Sequence, residues 1–93
     1  MYDRILKRMQ EKIHTRQYVM TLHAEEEMDE DELSIFDIER CILTGKITER
    51  QKDKETNEWK YVIEGQSIFG DKVGTVAKLS LTGKLFIITV YLV

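Results

Sequence analysis

The chain has 93 residues, 42% hydrophobic and 33% charged, with no proline, one cysteine, two histidines and a net charge of −3. That length allows one domain, residues 1–93, and the composition is too apolar for a disordered chain. It also excludes a strongly basic nucleic-acid binder, an internal disulfide and, with no apolar run near ~18 residues, a membrane helix.

The charge is unevenly spread. Residues 1–16 carry five bases against two acids, a net of +3. Residues 17–45 carry Arg40 against nine acids, a net of −8, and residues 46–93 carry eight bases against six acids, a net of +2. Two mildly basic ends flank an acidic middle, so a basic face can still form in the fold. The amphipathic N-terminus has no apolar core of a secretory signal, and the lone Cys41 suits a reducing compartment, so the expected location is cytoplasmic.

Residues 2–14 predict a helix, because Tyr2, Ile5, Leu6, Met9 and Ile13 recur at three- and four-residue steps. Arg4, Arg8 and Lys12 make a basic row beside that stripe, ordinarily a solvated face and alternatively a contact for phosphates or an acidic partner. Tyr18–Met20 is a short extended candidate. Thr21 then caps a helix over about 22–31. Its acids run past the first turn, so the pairs Glu25–Asp29, Glu26–Glu30 and Glu27–Asp31 repel at i, i+4. Ser34 with Asp37 reads as a capping box for a helix from Ile35 to Thr44, and Gly45 suits a left-handed C′ position. Cys41 reads as a small core residue.

After Gly45 the period changes to two. Strands are expected over Lys46–Gln51, Glu58–Glu64, Lys72–Ser80 and Lys84–Val93, with a polar turn at Lys52–Asn57 and a tight one at Leu81–Gly83. Leu85–Tyr91 is nearly all apolar and belongs inside the sheet. Three helices followed by four strands predict an α+β domain, with helices packed on one face of an antiparallel sheet of about four strands.

The candidate chemistry is thinly marked. His23 has the side chain suited to proton transfer near neutrality. Plain alternation puts Ile87, Thr89 and Tyr91 on one face of the last strand, with polar tips near its end. Arg50, Lys60 and Lys78 are strand bases that bind phosphate if they converge and protect the sheet if they do not. Trp59 and Tyr61 are able to stack bases, although core packing is the commoner role. One cysteine and two distant histidines give no zinc spacing and no other cofactor motif is present.

Thr21-Leu22-His23-Ala24 with Met28, Leu33-Ser34 with Asp37-Ile38-Glu39, Ile42-Leu43 with Gly45, and the closing Ile88-Thr89-Val90-Tyr91 together carry a resemblance. They look like a small bacterial family of domains of unknown function. That family resembles the RelE and BrnT ribonuclease toxins of type II toxin–antitoxin modules. The resemblance implies a RelE-like fold, RNA as substrate (on or off the ribosome), and a cognate antitoxin of zinc-finger and helix-turn-helix type. It matches His23 to the family histidine and Thr89 and Tyr91 to the closing polar pair. Many relatives carry arginine where this chain has Glu27 and Asp31. The expected reaction is metal-independent RNA cleavage by attack of the 2′-OH. The competing expectation is a non-catalytic module that docks a basic partner through residues 25–39.

Overall fold

A computed structural model describes residues 2–93. Its elements are α1 (Asp3–His14), β1 (Tyr18–Met20), α2 (Leu22–Glu30), α3 (Ile35–Thr44), β2 (Lys46–Lys52), β3 (Trp59–Gln66), β4 (Lys72–Leu79) and β5 (Leu85–Leu92). The apolar stripe of α1 is the one the spacing marks: Met9 and Ile13 are buried, with Tyr2, Ile5 and Leu6 packed against the core. Thr21 accepts a hydrogen bond from the Ala24 N–H at the start of α2. At the start of α3, Ser34 and Asp37 close a full capping box. The Asp37 carboxylate also accepts the Ile68 N–H at 3.0 Å, tying α3 to the β3–β4 loop. The hydrogen bond from the Ser34 backbone, more than opposing burial, holds this carboxyl below its ordinary range.

The α+β class holds, but the sheet has five strands and is mixed, in the order β1-β5-β4-β3-β2. The antiparallel four-strand expectation is corrected by β1, which pairs parallel to β5 with Tyr18 opposite Leu85 and Met20 opposite Ile87. Three residues are too few to show a period of two, and their partner lies more than sixty residues downstream. The pairing extends through the Leu85 N–H to the Gln17 carbonyl and the Thr21 N–H to the Ile87 carbonyl.

One face of the sheet is the core face. Tyr61 and Ile63 of β3, Val73 and Ala77 of β4, and Leu85, Ile87 and Val90 of β5 are buried there with Ile38, Cys41 and Ile42 of α3. The register shift between Val76 and Ala77, which pair with Thr89 and Ile87, leaves Ile88 as an extra residue. This bulge breaks the expected alternation. Ile87 turns into the core with Val90, while Thr89 and Tyr91 stay on the opposite, open face.

Two glycines set how closely the helical layer approaches. A Cβ on Gly65 would stand 2.1 Å from the Cys41 carbonyl oxygen, and one on Gly45 would stand 2.5 Å from the same atom. Gly45 is extended (φ −90°, ψ −177°). Its role is therefore close approach, which corrects the left-handed cap expected from its position. Cys41 is fully buried as expected, its thiol 3.2 Å from the Val73 carbonyl, and burial pushes its pKa up. Among the described residues no helix is long and apolar enough to cross a membrane.

Because the obstacle at Gly65 is backbone, Gly65→Ala has to push α3 off β3. The expected loss is about 1–3 kcal/mol, read as a lower urea midpoint with unchanged slope. An unchanged midpoint would show that the α3–β3 contact yields freely.

Candidate functional site

The open face of the sheet collects four of the six predicted site residues. Tyr61 and Ala77 point into the core, so their neighbours Lys60 and Lys78 point the other way. Thr89 pairs with Val76 and Tyr91 with Gly74, on the same open side. The Tyr91 ring lies directly over Gly74, where a Cβ would come within 2.2 Å of it. Burial first, and Glu64 second, raise the Tyr91 pKa. Its phenol is therefore a hydrogen-bond donor near neutrality rather than an anion.

His23 sits on the first turn of α2, with its side chain about two-thirds exposed (66%). Its Nε2 lies 3.3 Å from Glu27 Oε1, one helical turn on. The same Glu27 oxygen accepts the Val90 N–H at 3.2 Å. Val90 stands between Thr89 and Tyr91, beyond the point where β1 stops pairing with β5. One carboxylate thus closes the outer edge of β5 and steadies the imidazole beside it. In the sequence Glu27 stands out only as an acid among like charges, Asp31 being its i, i+4 neighbour. The i, i+4 spacing of His23 and Glu27 was the available signal for its role.

The basic residues do not converge. Lys78 Nζ is 3.1 Å from Glu58 Oε2. Lys60 and Lys78 also lie near enough to Asp53 to help hold its pKa down, behind the dominant backbone hydrogen bond from Glu55. Arg50 pairs with Tyr61 across β2 and β3 and belongs to the core side of the sheet. Its guanidinium is 3.9 Å from the Trp59 ring centre and 6.0 Å from that of Tyr2. Grouping Arg50 with Lys60 and Lys78 is corrected, because adjacent positions on paired strands face opposite ways. Trp59, for which core packing was the commoner expectation, is 40% exposed, whereas Tyr61 is buried.

Two hollows flank these residues at opposite ends of β4. One, of about 410 Å³, is lined by Lys78, Glu58, Asp53, Thr21, Phe86 and Ile88. The other, of about 520 Å³, includes Lys46, Thr48, Glu64, Gln66 and Lys72. Glu64 is the cross-strand partner of Gly74, over which Tyr91 lies. Lys46 and Lys72 were not among the predicted site residues; as strand-terminal lysines, nothing in their local pattern distinguishes them. No group of three or more histidine, cysteine, aspartate or glutamate residues able to hold a metal ion occurs among the described residues.

A family described as a domain of unknown function (DUF4258) matches residues 20–92, most of the chain. The match takes in α2 through β5 and leaves out α1. No curated protein and no solved structure matches the chain.

Removing the Glu27 carboxylate exposes an unpaired strand edge. In Glu27→Ala, hydrogen exchange at the Val90 amide should speed up more than at other β5 amides, with a stability loss of about 0.5–1.5 kcal/mol. Equal Val90 protection in the variant and the parent would mean that the carboxylate does not hold this edge.

Proposed function

We propose, for a chain that belongs to the DUF4258 family of domains of unknown function, that it cleaves single-stranded RNA at the rim of its open sheet face, as a RelE/BrnT-like toxin of a toxin–antitoxin pair. The observation that carries this reading is the Glu27 bridge. It links the exposed His23 imidazole to the backbone between Thr89 and Tyr91. In this reading the imidazole works at the outer edge of β5, while the Tyr91 ring reaches inward over Gly74 and Lys60 and Lys78 supply positive charge elsewhere on the open face.

In this mechanism His23, oriented by Glu27, takes the proton from the 2′-OH as that oxygen attacks the adjacent phosphorus. The phosphorus–5′-oxygen bond breaks as the departing 5′ oxygen takes a proton from solvent water, leaving a 2′,3′-cyclic phosphate and a 5′-hydroxyl end. The imidazolium of His23 then returns its proton to solvent. Tyr91 and Thr89 donate hydrogen bonds to the non-bridging oxygens, where charge develops in the transition state. Lys60 and Lys78 attract the RNA backbone. Lys78 keeps Glu58 as its resident partner, so phosphate has to compete with that carboxylate. The full chain, incubated with RNA alone or with ribosomes, should generate cyclic-phosphate ends. His23→Ala should lower the rate about 10²- to 10⁴-fold. Equal cleavage by the variant would remove His23 from the mechanism.

A second reading rests on a different observation. Among the described residues Glu25, Glu26, Asp29, Glu30, Asp31 and Glu32 take part in no ion pair. Repulsion along α2 is thus left unrelieved within the chain, and a basic partner, such as an antitoxin segment, would relieve it. A triple variant, Glu26→Lys with Asp29→Lys and Glu30→Lys, should stop co-purifying with a protein encoded beside this one while keeping its own urea midpoint. Undiminished co-purification would exclude α2 as the contact.

A further inference from the structure

We infer that the groove between α1 and the β3–β4 end of the sheet takes one unstacked base of a single-stranded RNA, held against Trp59 with flanking phosphates on Arg8, Arg50 and Lys52. The choice of RNA rests on the reading of the open face given above. The groove does not: it lies on the other side of the sheet and is partly built by α1, outside the family match.

The groove measures about 240 Å³ and is lined by Ile5 and Arg8 of α1, Trp59 and Tyr61 of β3, Leu79 at the end of β4 and Leu81 in the turn after it. Pockets for drug-sized ligands run to about 300–1,000 Å³, so this smaller groove suits a single planar ring. Its walls are mostly apolar and open to solvent. Trp59 is 40% exposed and Leu81 is fully exposed, which folding alone does not require. One face of the indole is already covered by the Arg50 guanidinium at 3.9 Å, so a base stacks on the face turned to the groove, a contact open to any base.

The charges fit a strand that crosses the ring. Arg50 lies over the indole at 3.9 Å and Lys52 Nζ at 5.5 Å. Arg8 lines the groove from α1, and Arg4 stands one turn earlier in the same exposed row. None of these four is in an ion pair among the described residues. The one carboxylate in the lining, Glu58, is held by Lys78 at 3.1 Å. Exposed cations on both sides of an aromatic groove match the backbone on either side of a splayed base. An acidic peptide would use the cations but leave the ring-sized apolar slot unexplained.

Trp59 is the chain's only tryptophan, so its fluorescence reports on this groove directly. The titration uses the full chain carrying His23→Ala, so that cleavage does not intervene, and an oligo-adenylate RNA eight nucleotides long. Saturable quenching is expected, weakening steeply as salt is raised. Adding Arg50→Gln and Lys52→Gln should lower the affinity about tenfold or more without moving the urea midpoint. Absent quenching, equal quenching in the Gln variant, or equal quenching by duplex RNA or by an oligo-glutamate peptide would each overturn the proposal. Cleavage is scored separately in the parent chain and in Arg50→Gln with Lys52→Gln. Quenching without cleavage leaves this groove standing and removes the open-face reading, and cleavage without quenching does the reverse.

Discussion

The close approach of the α3 backbone to β3 is the constraint on which the rest depends. The Cys41 carbonyl oxygen fills the space where Gly65 and Gly45 have no side chain. With α3 seated there, Ile38, Cys41 and Ile42 meet Ile63 and Val73, and one side of the sheet becomes the core. A domain of this size buries a modest core, so it has little apolar surface left for the other side. The open face keeps Lys60, Lys78, Thr89 and Tyr91 accessible for that reason. Glycine at both positions is a packing requirement, since a side chain would collide with backbone rather than with a movable group.

The far edge of the sheet is governed by hydrogen bonding. β1 covers β5 for only three residues. Beyond them the Thr21 hydroxyl donates to the Ile88 carbonyl and Glu27 accepts from Val90. Side chains at the cap and within α2 thus take over where the ladder stops, and unpaired strand groups are satisfied without another strand. The Ile88 bulge sits at the same place. It keeps Ile87 and Val90 in the core while turning Thr89 and Tyr91 outward. The bulge, the edge closure and the imidazole occupy one short stretch, and any chemistry there inherits the rigidity of the sheet beneath it.

Charge is partitioned by element. The acids of α2 stand apart from the cations of α1 and β2, and the lysines of β3 and β4 lie on the opposite face from Arg50. A chain of net charge −3 can therefore present two separate cationic surfaces. On the open face the cations are tempered by Glu58 and Asp53; beside Trp59 they have no ionic partner among the described residues.

Much of the fold was legible locally. The stripe of α1, the Thr21 cap and the Ser34–Asp37 box predict three helices because capping and 3.6-residue spacing act within a few neighbours. The period of two after Gly45 likewise marks β2 through β5. Other helix ends were less visible: Arg16 and Glu32 take positive φ (57° and 55°) without being glycine, so no residue type announces them. His23, Thr89 and Tyr91 were readable as candidates, whereas Glu27 was not. Its meaning depends on a backbone amide sixty-three positions away.

By itself the sequence determined the element types, the buried stripes and the α+β class, since these follow from short-range periodicity and the need to bury apolar groups. Only the tertiary structure decided that β1 enters the sheet parallel to β5, that a bulge reverses the parity of the last strand, and that Arg50 and Lys60 face opposite ways. Each of these is settled by pairing register between distant segments. A shift of one residue in register moves a side chain to the other face, and no local pattern records it.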